Sequence, residues 1–189
     1  MAAAVEAGQG IHILLQEPWE TLCSFIISQN NNIPRIKKIV SELCRRFGTP
    51  VRYRGEEHYT FPSPMRLYEA GRDNISETRM GFRARYIEDA AQRVAFDSSF
   101  FCEVASSPTY EAADMKLRDI KGVGPKVSAC TLLFGLHRYD AFPVDVWIRR
   151  TVGKYFPGGA PDCIDFGELA PVAGILQQYI FNYERNVVK

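Results

Sequence analysis

The stretch IKGVGPKVSACTLLFGLHRYDAFPVD, residues 120–145, decides how this chain folds. Gly122 and Gly124 flank one apolar residue, Val123, and two glycines placed in this way permit the positive φ of a tight turn. Pro125 suits the first turn of a helix, where its missing N–H would have no partner in any case. Apolar residues then follow at helical spacing, so this stretch is predicted to be a glycine turn that leads into a helix.

A second helical pattern precedes the glycine turn, over residues 110–118. The segment from about residue 110 to 137 is therefore predicted to form a helix, a glycine hairpin and a second helix. Backbone N–H groups at the start of the second helix lie at the positive end of its dipole, where a phosphate group can bind. Glycine also ends many ordinary helices, so simple helix packing is the alternative interpretation of the hairpin alone.

Composition predicts a globular chain but gives no global argument for a nucleic-acid partner. Its 189 residues are 46% hydrophobic and 24% charged, and the formal net charge is +1. The charge is uneven, because residues 30–54 contain seven basic side chains and one acidic side chain, Glu42. The seven are Arg35, Lys37, Lys38, Arg45, Arg46, Arg52 and Arg54. This region is predicted to contact phosphates, although a solvated helix face can have the same pattern.

The five cysteines, Cys23, Cys44, Cys102, Cys130 and Cys163, are odd in number and scattered. No pair has the close spacing of a zinc or iron–sulfur site, so they are predicted to be reduced core residues, and no metal site is expected. The apolar runs are too short to span a membrane, and the first ten residues lack the pattern of a signal peptide. A cytosolic protein without a membrane partner is expected.

Two further residues connect this hairpin to a family. Lys126 stands where the hairpin meets its helix, and Asp145 begins the next apolar helical run. With these residues and their spacing, the chain resembles the helix-hairpin-helix superfamily of DNA glycosylases, and within it the 8-oxoguanine DNA glycosylase family. The resemblance extends over residues 11–185 and implies an all-α helical bundle with a DNA-binding cleft. Lys126 and Asp145 match the family's nucleophile and its partner carboxylate.

The resemblance also implies a set of residues that opens the duplex. SQNNNIPRI, residues 28–36, is similar to the family stretch in which Asn30 fills the gap left by an extruded base and Arg35 recognises the unpaired cytosine. In the same way, Phe82 matches an aromatic wedge and Arg83 a second cytosine-binding residue. Relatives often have tyrosine at the position of Phe82. The alternatives from the residues alone are helix capping for the asparagines, and packing plus a surface charge for Phe82 and Arg83.

A base pocket is implied by three further positions. Gln177 and Phe181 stand four residues apart and so lie on one face of the last helix, where they match the residues that hold the damaged base. Cys130 follows Lys126 by one helical turn and is a candidate to contact the lysine or the base. For Phe181 and Cys130, an ordinary place in the core is the alternative interpretation.

Excising a base from a duplex requires the base to leave the stack, and an amine can then trap the sugar carbon as a covalent intermediate. The implied function is a bifunctional enzyme of base-excision repair, which removes 8-oxoguanine opposite cytosine through a lysine Schiff base and then acts as an AP lyase. Damaged double-stranded DNA is the expected partner, bound by a monomer associated with the nucleoid. No cofactor is expected, although the hairpin leaves room for a monovalent cation.

The same residues leave three alternatives open. Asp145 is well placed to be a helix N-cap, and Lys126 to be a phosphate-binding surface charge, with either role compatible with catalysis. The chain as a whole could be a non-catalytic or impaired helix-hairpin-helix DNA-binding fragment. Residues 1–189 are predicted to form one glycosylase core, and the family's N-terminal antiparallel-sheet domain is expected to be absent. Weak selectivity for 8-oxoguanine over guanine is expected to follow.

Overall fold

The computed structural model of the chain describes residues 2–156 and 164–187. Ten α-helices make up most of this part: α1 (Ala2–Ala7), α2 (Pro18–Ser28), α3 (Ile33–Phe47), α4 (Pro64–Ser76), α5 (Ala84–Phe96), α6 (Phe100–Ala105), α7 (Tyr110–Arg118), α8 (Pro125–Cys130), α9 (Val146–Tyr155) and α10 (Ala173–Asn186). Short 3-10 turns, Gly81–Arg83 and Gly167–Val172, precede α5 and α10, and a π-helical turn, Thr131–Gly135, extends α8. The predicted helical bundle is confirmed.

Proline residues and capping side chains begin several of these helices. Helices α2, α3, α4 and α8 all have proline in the first turn. The Asn32 side chain accepts a hydrogen bond from the N–H of Arg35 at 3.0 Å and so caps α3. The capping alternative is therefore confirmed for Asn32.

A small β-hairpin interrupts the helices between α3 and α4. Strand β1 (Pro50–Tyr53) pairs antiparallel with β2 (Glu56–Tyr59). The two residues that connect them, Arg54 and Gly55, have φ values of 51° and 84°, as a two-residue turn of type I′ requires. Both strands are largely exposed, so the hairpin lies on the surface of the bundle.

One large hydrophobic core joins α2–α8. Its fully buried larger side chains are Leu22, Ile26, Ile27, Leu43, Leu67, Ile75, Met80, Ile87, Phe100, Leu117, Leu132 and Leu133. The α2 residues Leu22 and Ile26 and the π-turn residues Leu132 and Leu133 belong to the same cluster, so α2 packs directly against the helix that carries Lys126. The core thus fixes the helix that carries the predicted nucleophile against α2.

A smaller cluster joins α9 and α10, with Ile148, Val152 and Ile180 at its centre. Gly174, near the start of α10, donates its N–H to the carbonyl of Tyr139 at 2.7 Å. A Cβ at Gly174 would overlap the carbonyl oxygen of Ala141, so only glycine permits this close approach. Helix α10 is thereby placed against the segment that leads into Asp145.

The cysteines differ in their exposure. Cys23 and Cys130 are buried, and Cys44 is half-buried. The prediction of a core position is wrong for Cys102, because this residue lies on the exposed side of the short helix α6. Cys163 is outside the described residues. In residues 2–156 and 164–187, no helix combines the length and apolar character needed to cross a bilayer.

Candidate active site and DNA-binding surface

Helices α7 and α8 and the turn between them form the predicted helix-hairpin-helix. Val123 is 6% exposed and inserts into the core, which anchors the turn. Gly122 has a φ of +83°, and a Cβ at this position would fall inside the ring of Tyr86. Gly124 is different, because a Cβ there would meet open space. The backbone at Gly124 is therefore accessible from outside, next to Lys126.

Lys126 is the second residue of α8 and is half-buried. Its Nζ atom lies 4.5 Å from the centroid of the Phe25 ring, a cation–π distance. Phe25 in turn stacks on Phe134, with ring centroids 5.7 Å apart and planes inclined by 21°. Phe25 is a site residue that no motif in the sequence indicates. Its helical spacing indicates an apolar position on α2, but the contact with Lys126 joins residues 101 positions apart in the chain.

Asp145 is the N-cap of α9. Its Oδ1 atom accepts a hydrogen bond from the N–H of Ile148 at 2.8 Å, and its side chain is half-buried. The capping alternative is thus confirmed for Asp145. This bond also fixes the orientation of the carboxylate, and its role in catalysis stays a prediction.

Cys130 shows that the predicted site residues are electrostatic neighbours. Burial raises the pKa of its thiol to about 11, while the charge of Lys126 lowers this pKa and that of Asp145 raises it by smaller amounts. Cys130 is therefore a neutral thiol at physiological pH. The structure brings together Lys126, Cys130 and Asp145, from the starts and ends of two helices that are separated by 15 residues of chain.

The three consecutive asparagines have different roles in the turn between α2 and α3. Asn31 donates from Nδ2 to the carbonyl of Ile27 at 3.1 Å, and Asn32 caps α3. Asn30 is exposed and has a φ of 46°, a left-handed conformation that asparagine tolerates better than most residues. In the described part of the chain, its side chain has no hydrogen-bond partner. The Asn30 side chain thus makes no cap of the kind that Asn32 makes, and its entry into a duplex stays a prediction.

Phe82 and Arg83 lie in the 3-10 turn before α5. Phe82 is 49% exposed, and its ring meets that of Tyr86 in a T-shaped contact with centroids 5.9 Å apart. Arg83 is only 3% exposed, and its guanidinium lies 4.5 Å from the Phe82 ring centroid. Burial, and then the nearby charge of Arg35, lower the pKa of Arg83. The alternative of Arg83 as a surface charge is wrong, while its recognition of cytosine stays a prediction.

Gln177 and Phe181 lie on α10 as predicted, but the two side chains differ in surroundings. Gln177 is 3% exposed, and its Oε1 atom accepts a hydrogen bond from Nε2 of Gln178. Phe181 is half-buried and packs against the cluster of α9 and α10. Phe181 thus lies at the edge of this cluster rather than inside a core, and its contact with an extruded base stays a prediction.

Fewer basic side chains of residues 30–54 are free of ion pairs than the sequence indicates. Glu42 forms ion pairs with both Arg45 and Arg46, and these two arginines lower the pKa of Glu42 to about 2. Arg46 also pairs with Glu77. Positive charge at the end of α3 is thus neutralised locally. Its exposed basic side chains nearer the start, Arg35, Lys37 and Lys38, remain the part of α3 suited to contact phosphates.

Comparison with known proteins identifies the family. The model of the HhH-GPD superfamily of base excision DNA repair proteins matches residues 23–161, and the chain belongs to this superfamily. Within it, the chain is 37% identical over 153 residues to the N-glycosylase/DNA lyase of Saccharomyces cerevisiae, in a match that covers 75% of this chain and 41% of the yeast protein. The chain thus spans less than half the length of that relative.

Solved structures show the same likeness. The 8-oxoguanine glycosylase/lyase of Clostridium acetobutylicum, in complex with double-stranded DNA containing cytosine opposite 8-oxoG, superposes with a TM-score of 0.87 at 35% identity. The match covers 97% of this chain and 65% of the other. MBOgg1 in complex with a low-affinity DNA ligand superposes with a TM-score of 0.88 at 40% identity, over 100% of this chain and 66% of the other. The predicted fold and family are confirmed.

Proposed function

We propose that this chain is the core of a DNA glycosylase that removes 8-oxoguanine opposite cytosine and then cleaves the strand as an AP lyase. The observation that carries the proposal is the placement of Lys126 and Asp145 around Cys130, close enough for both charges to act on the pKa of its thiol, next to an accessible helix-hairpin-helix turn. The similarity to an N-glycosylase/DNA lyase and to 8-oxoguanine glycosylase structures supports it.

The chemistry assigns different tasks to Lys126 and Asp145. As the bond between the sugar C1′ and the base nitrogen breaks, its electron pair leaves with the base and positive charge develops on the sugar. The oriented carboxylate of Asp145 stabilises that charge. The neutral amine of Lys126 forms a new bond to C1′, and the imine that follows permits loss of the 3′ phosphate by elimination. A lysine amine in water is mostly protonated at neutral pH, so the bound site has to remove its proton.

The DNA-binding surface supports the specificity of this proposal. Asn30 and Phe82 are exposed on neighbouring turns and fill the space of the extruded base. Arg35, at the exposed start of α3, donates to the opposite cytosine. Gln177 and Phe181 hold the extruded base, which requires α10 to shift or its side chains to turn, because Gln177 is buried. The backbone at Gly124 and the basic residues of α3 bind phosphates without regard to sequence.

Borohydride trapping tests this function directly. The chain is incubated with a duplex that contains 8-oxoguanine opposite cytosine, and reduction converts an imine into a stable protein–DNA adduct. We expect an adduct with the wild-type chain and none with Lys126→Gln, while both bind the duplex with similar affinity. Binding without an adduct in the wild type would establish the non-catalytic DNA-binding alternative instead. An undiminished adduct in the variant would place the nucleophile elsewhere.

A further inference from the structure

Helix α5 holds the turn of the helix-hairpin-helix through one carboxylate. The main-chain N–H of Lys121 donates to Oδ2 of Asp89 at 3.0 Å, and the Nζ atom of the same lysine lies 3.0 Å from Oδ1. The two residues are 32 positions apart in the chain. Both oxygens of Asp89 thus hold a single residue of the turn, one through its main chain and one through its charge.

Tyr86 makes a second contact with the same turn, from a position three residues before Asp89 on α5. Its ring lies against Gly122, where a Cβ would be 2.2–2.5 Å from three ring atoms. The guanidinium of Arg85 lies over this ring, 4.8 Å from its centroid, and donates Nη2 to the Tyr86 hydroxyl at 2.8 Å. The ring also meets Phe82, in the turn before α5. Tyr86 therefore lies between the hairpin and the turn that begins α5.

Glu88, the residue before Asp89, makes an equivalent contact with α4. Its Oε1 atom accepts a hydrogen bond from the main-chain N–H of Arg72 at 3.1 Å, and its Oε2 atom lies 3.9 Å from Nε of the same arginine. This N–H follows Gly71, whose φ of 71° interrupts α4. Two consecutive carboxylates thus tie α5 both to α4 and to the hairpin.

The ion pair between Asp89 and Lys121 adds little to stability. The Lys121 side chain is 80% exposed and that of Asp89 24%, and ion pairs at such positions are weak. The main-chain bond is different, because it restrains the backbone of the turn whatever side chain residue 121 carries. The pair also affects the charge of the surface. Arg72, Arg85 and Lys121 line one groove of about 560 Å³ beside the hairpin, and Asp89 offsets part of their positive charge.

We infer that Asp89 is a positioning residue with two effects on DNA binding. It clamps the phosphate-binding hairpin to α5 through the main-chain N–H of Lys121, and it holds the ammonium group of that lysine away from DNA phosphates. A duplex bound at the hairpin then meets the turn before α5 at one fixed distance, which favours damaged sites over intact duplex. The inference rests on the proposed function, because it concerns the same DNA-binding surface.

The test measures affinity by fluorescence anisotropy for an undamaged duplex and for a duplex that contains a tetrahydrofuran abasic-site analogue. In Asp89→Asn, the amide oxygen can still accept the N–H of Lys121, but the ammonium group is released. We expect affinity for both duplexes to rise about threefold at about 0.1 M salt. The slope of log affinity against log salt should steepen by up to about 0.9, the value for one further phosphate contact. The ratio of the two affinities should stay close to that of the wild type.

Asp89→Ala releases the ammonium group and also removes the acceptor of the main-chain N–H. We expect the same change in salt dependence as in Asp89→Asn. The preference for the abasic duplex should in addition fall by about fivefold, because the hairpin and the turn before α5 are no longer held at a fixed distance. Its recovery in Asp89→Asn would show that a positioned acceptor, rather than the charge, maintains this preference.

Asp97→Asn is the matched control. Asp97 follows the end of α5, is 27% exposed and pairs with Arg93, so this change alters the net charge equally without touching the hairpin. Its affinities should stay within about twofold of the wild type, because salt screens charges that lie far from the bound phosphates. A second control uses the Lys121→Gln background, in which Asp89→Asn should no longer raise affinity. Asp89→Ala should still reduce the preference there, since the main-chain N–H remains.

Two results would overturn the inference. In the first, Asp89→Asn leaves affinity and its salt dependence at the wild-type values. In the second, Asp89→Ala keeps the wild-type preference for the abasic duplex. If Asp89→Ala does not fold, Tyr86→Leu, which removes the ring from Gly122, is compared with Tyr86→Phe, which keeps it, and an equal preference in both would overturn the clamp. Because these measurements require no base excision, a failed borohydride trap would refute the proposed function and leave this test intact.

Discussion

The Nζ atom of Lys126 lies 4.5 Å from the centroid of the Phe25 ring, so the proposed nucleophile rests on an aromatic face that belongs to a different helix. Phe25 is held in turn by Phe134, which follows Lys126 on the same helical segment. The flexible side chain of Lys126, which belongs to α8, is thus confined against α2. Confinement of this kind reduces the loss of rotamer freedom when the amine attacks a bound sugar.

We predict that Phe25→Leu slows formation of the borohydride adduct by about two- to fivefold, because loss of the ring lets the Lys126 side chain leave the position from which its amine attacks the bound sugar. Duplex affinity should change by less than about twofold. Phe25→Tyr is the matched control, because it keeps an aromatic face under the Lys126 Nζ atom. An unchanged or faster rate in Phe25→Leu would show that the ring only holds the resting ammonium group.

Asp145 combines a helix cap with a proposed catalytic charge, and two substitutions separate these roles. Asparagine caps a helix about as well as aspartate, so Asp145→Asn should keep the bond to Ile148 and change the free energy of unfolding by less than about 0.5 kcal/mol. Adduct formation should nevertheless slow by about a hundredfold. Asp145→Ala should show the same loss of rate and an added loss of about 1 kcal/mol in stability. Wild-type rates in Asp145→Asn would reduce the residue to a cap.

The two hairpin glycines should respond differently to alanine. Gly122→Ala forces a left-handed alanine and pushes a methyl group into the Tyr86 ring, so we expect a loss of about 2–4 kcal/mol in the free energy of unfolding. Gly124→Ala adds its methyl group in open space and should cost no more than about 1 kcal/mol. The same methyl group should hinder the approach of a phosphate and lower affinity for undamaged duplex by about tenfold.

Urea unfolding and fluorescence anisotropy with a labelled duplex measure these two effects. Loss of affinity in Gly124→Ala without loss of stability is the expected pattern. Equal affinity for the duplex in Gly124→Ala and the wild type would contradict phosphate binding at this turn.

We predict that burial of Cys130 makes the free energy of unfolding depend on pH in the alkaline range. A thiol in the unfolded chain ionises near pH 8.5, whereas burial raises the pKa of Cys130 to about 11 in the folded chain. Because the unfolded state loses this proton first, the contribution of Cys130 to stability falls as pH rises from about 8.5 to 11, by up to about 1.4 kcal/mol per pH unit. Urea unfolding of Cys130→Ala should therefore depend less on pH in this range than the wild type. Cys102→Ser, at an exposed position, should follow the wild type.

Much of the fold was determined by local sequence. A sequence displays directly the features that act over a few residues of chain. Here these are the hairpin glycines, the prolines in first helical turns and the apolar spacing of α7, α8 and α9. The capping roles of Asn32 and Asp145 were foreseen for the same reason, since a cap acts over three residues. The pairing of Lys126 with Asp145 follows from the resemblance to a glycosylase family, which these two residues and their spacing after the hairpin carry.

The surroundings of the site residues were decided only by the tertiary structure. Three contacts at the site join segments that are tens of residues apart in the chain. They are the Phe25 ring against Lys126, the Tyr86 ring against Gly122, and the hydrogen bonds from buried Arg83 to Gln29 and Asn30. A sequence pattern shows that an arginine follows an aromatic residue in a turn. It does not show which carbonyls that arginine meets, because those belong to another turn that packing of α2 against α5 brings within hydrogen-bond distance.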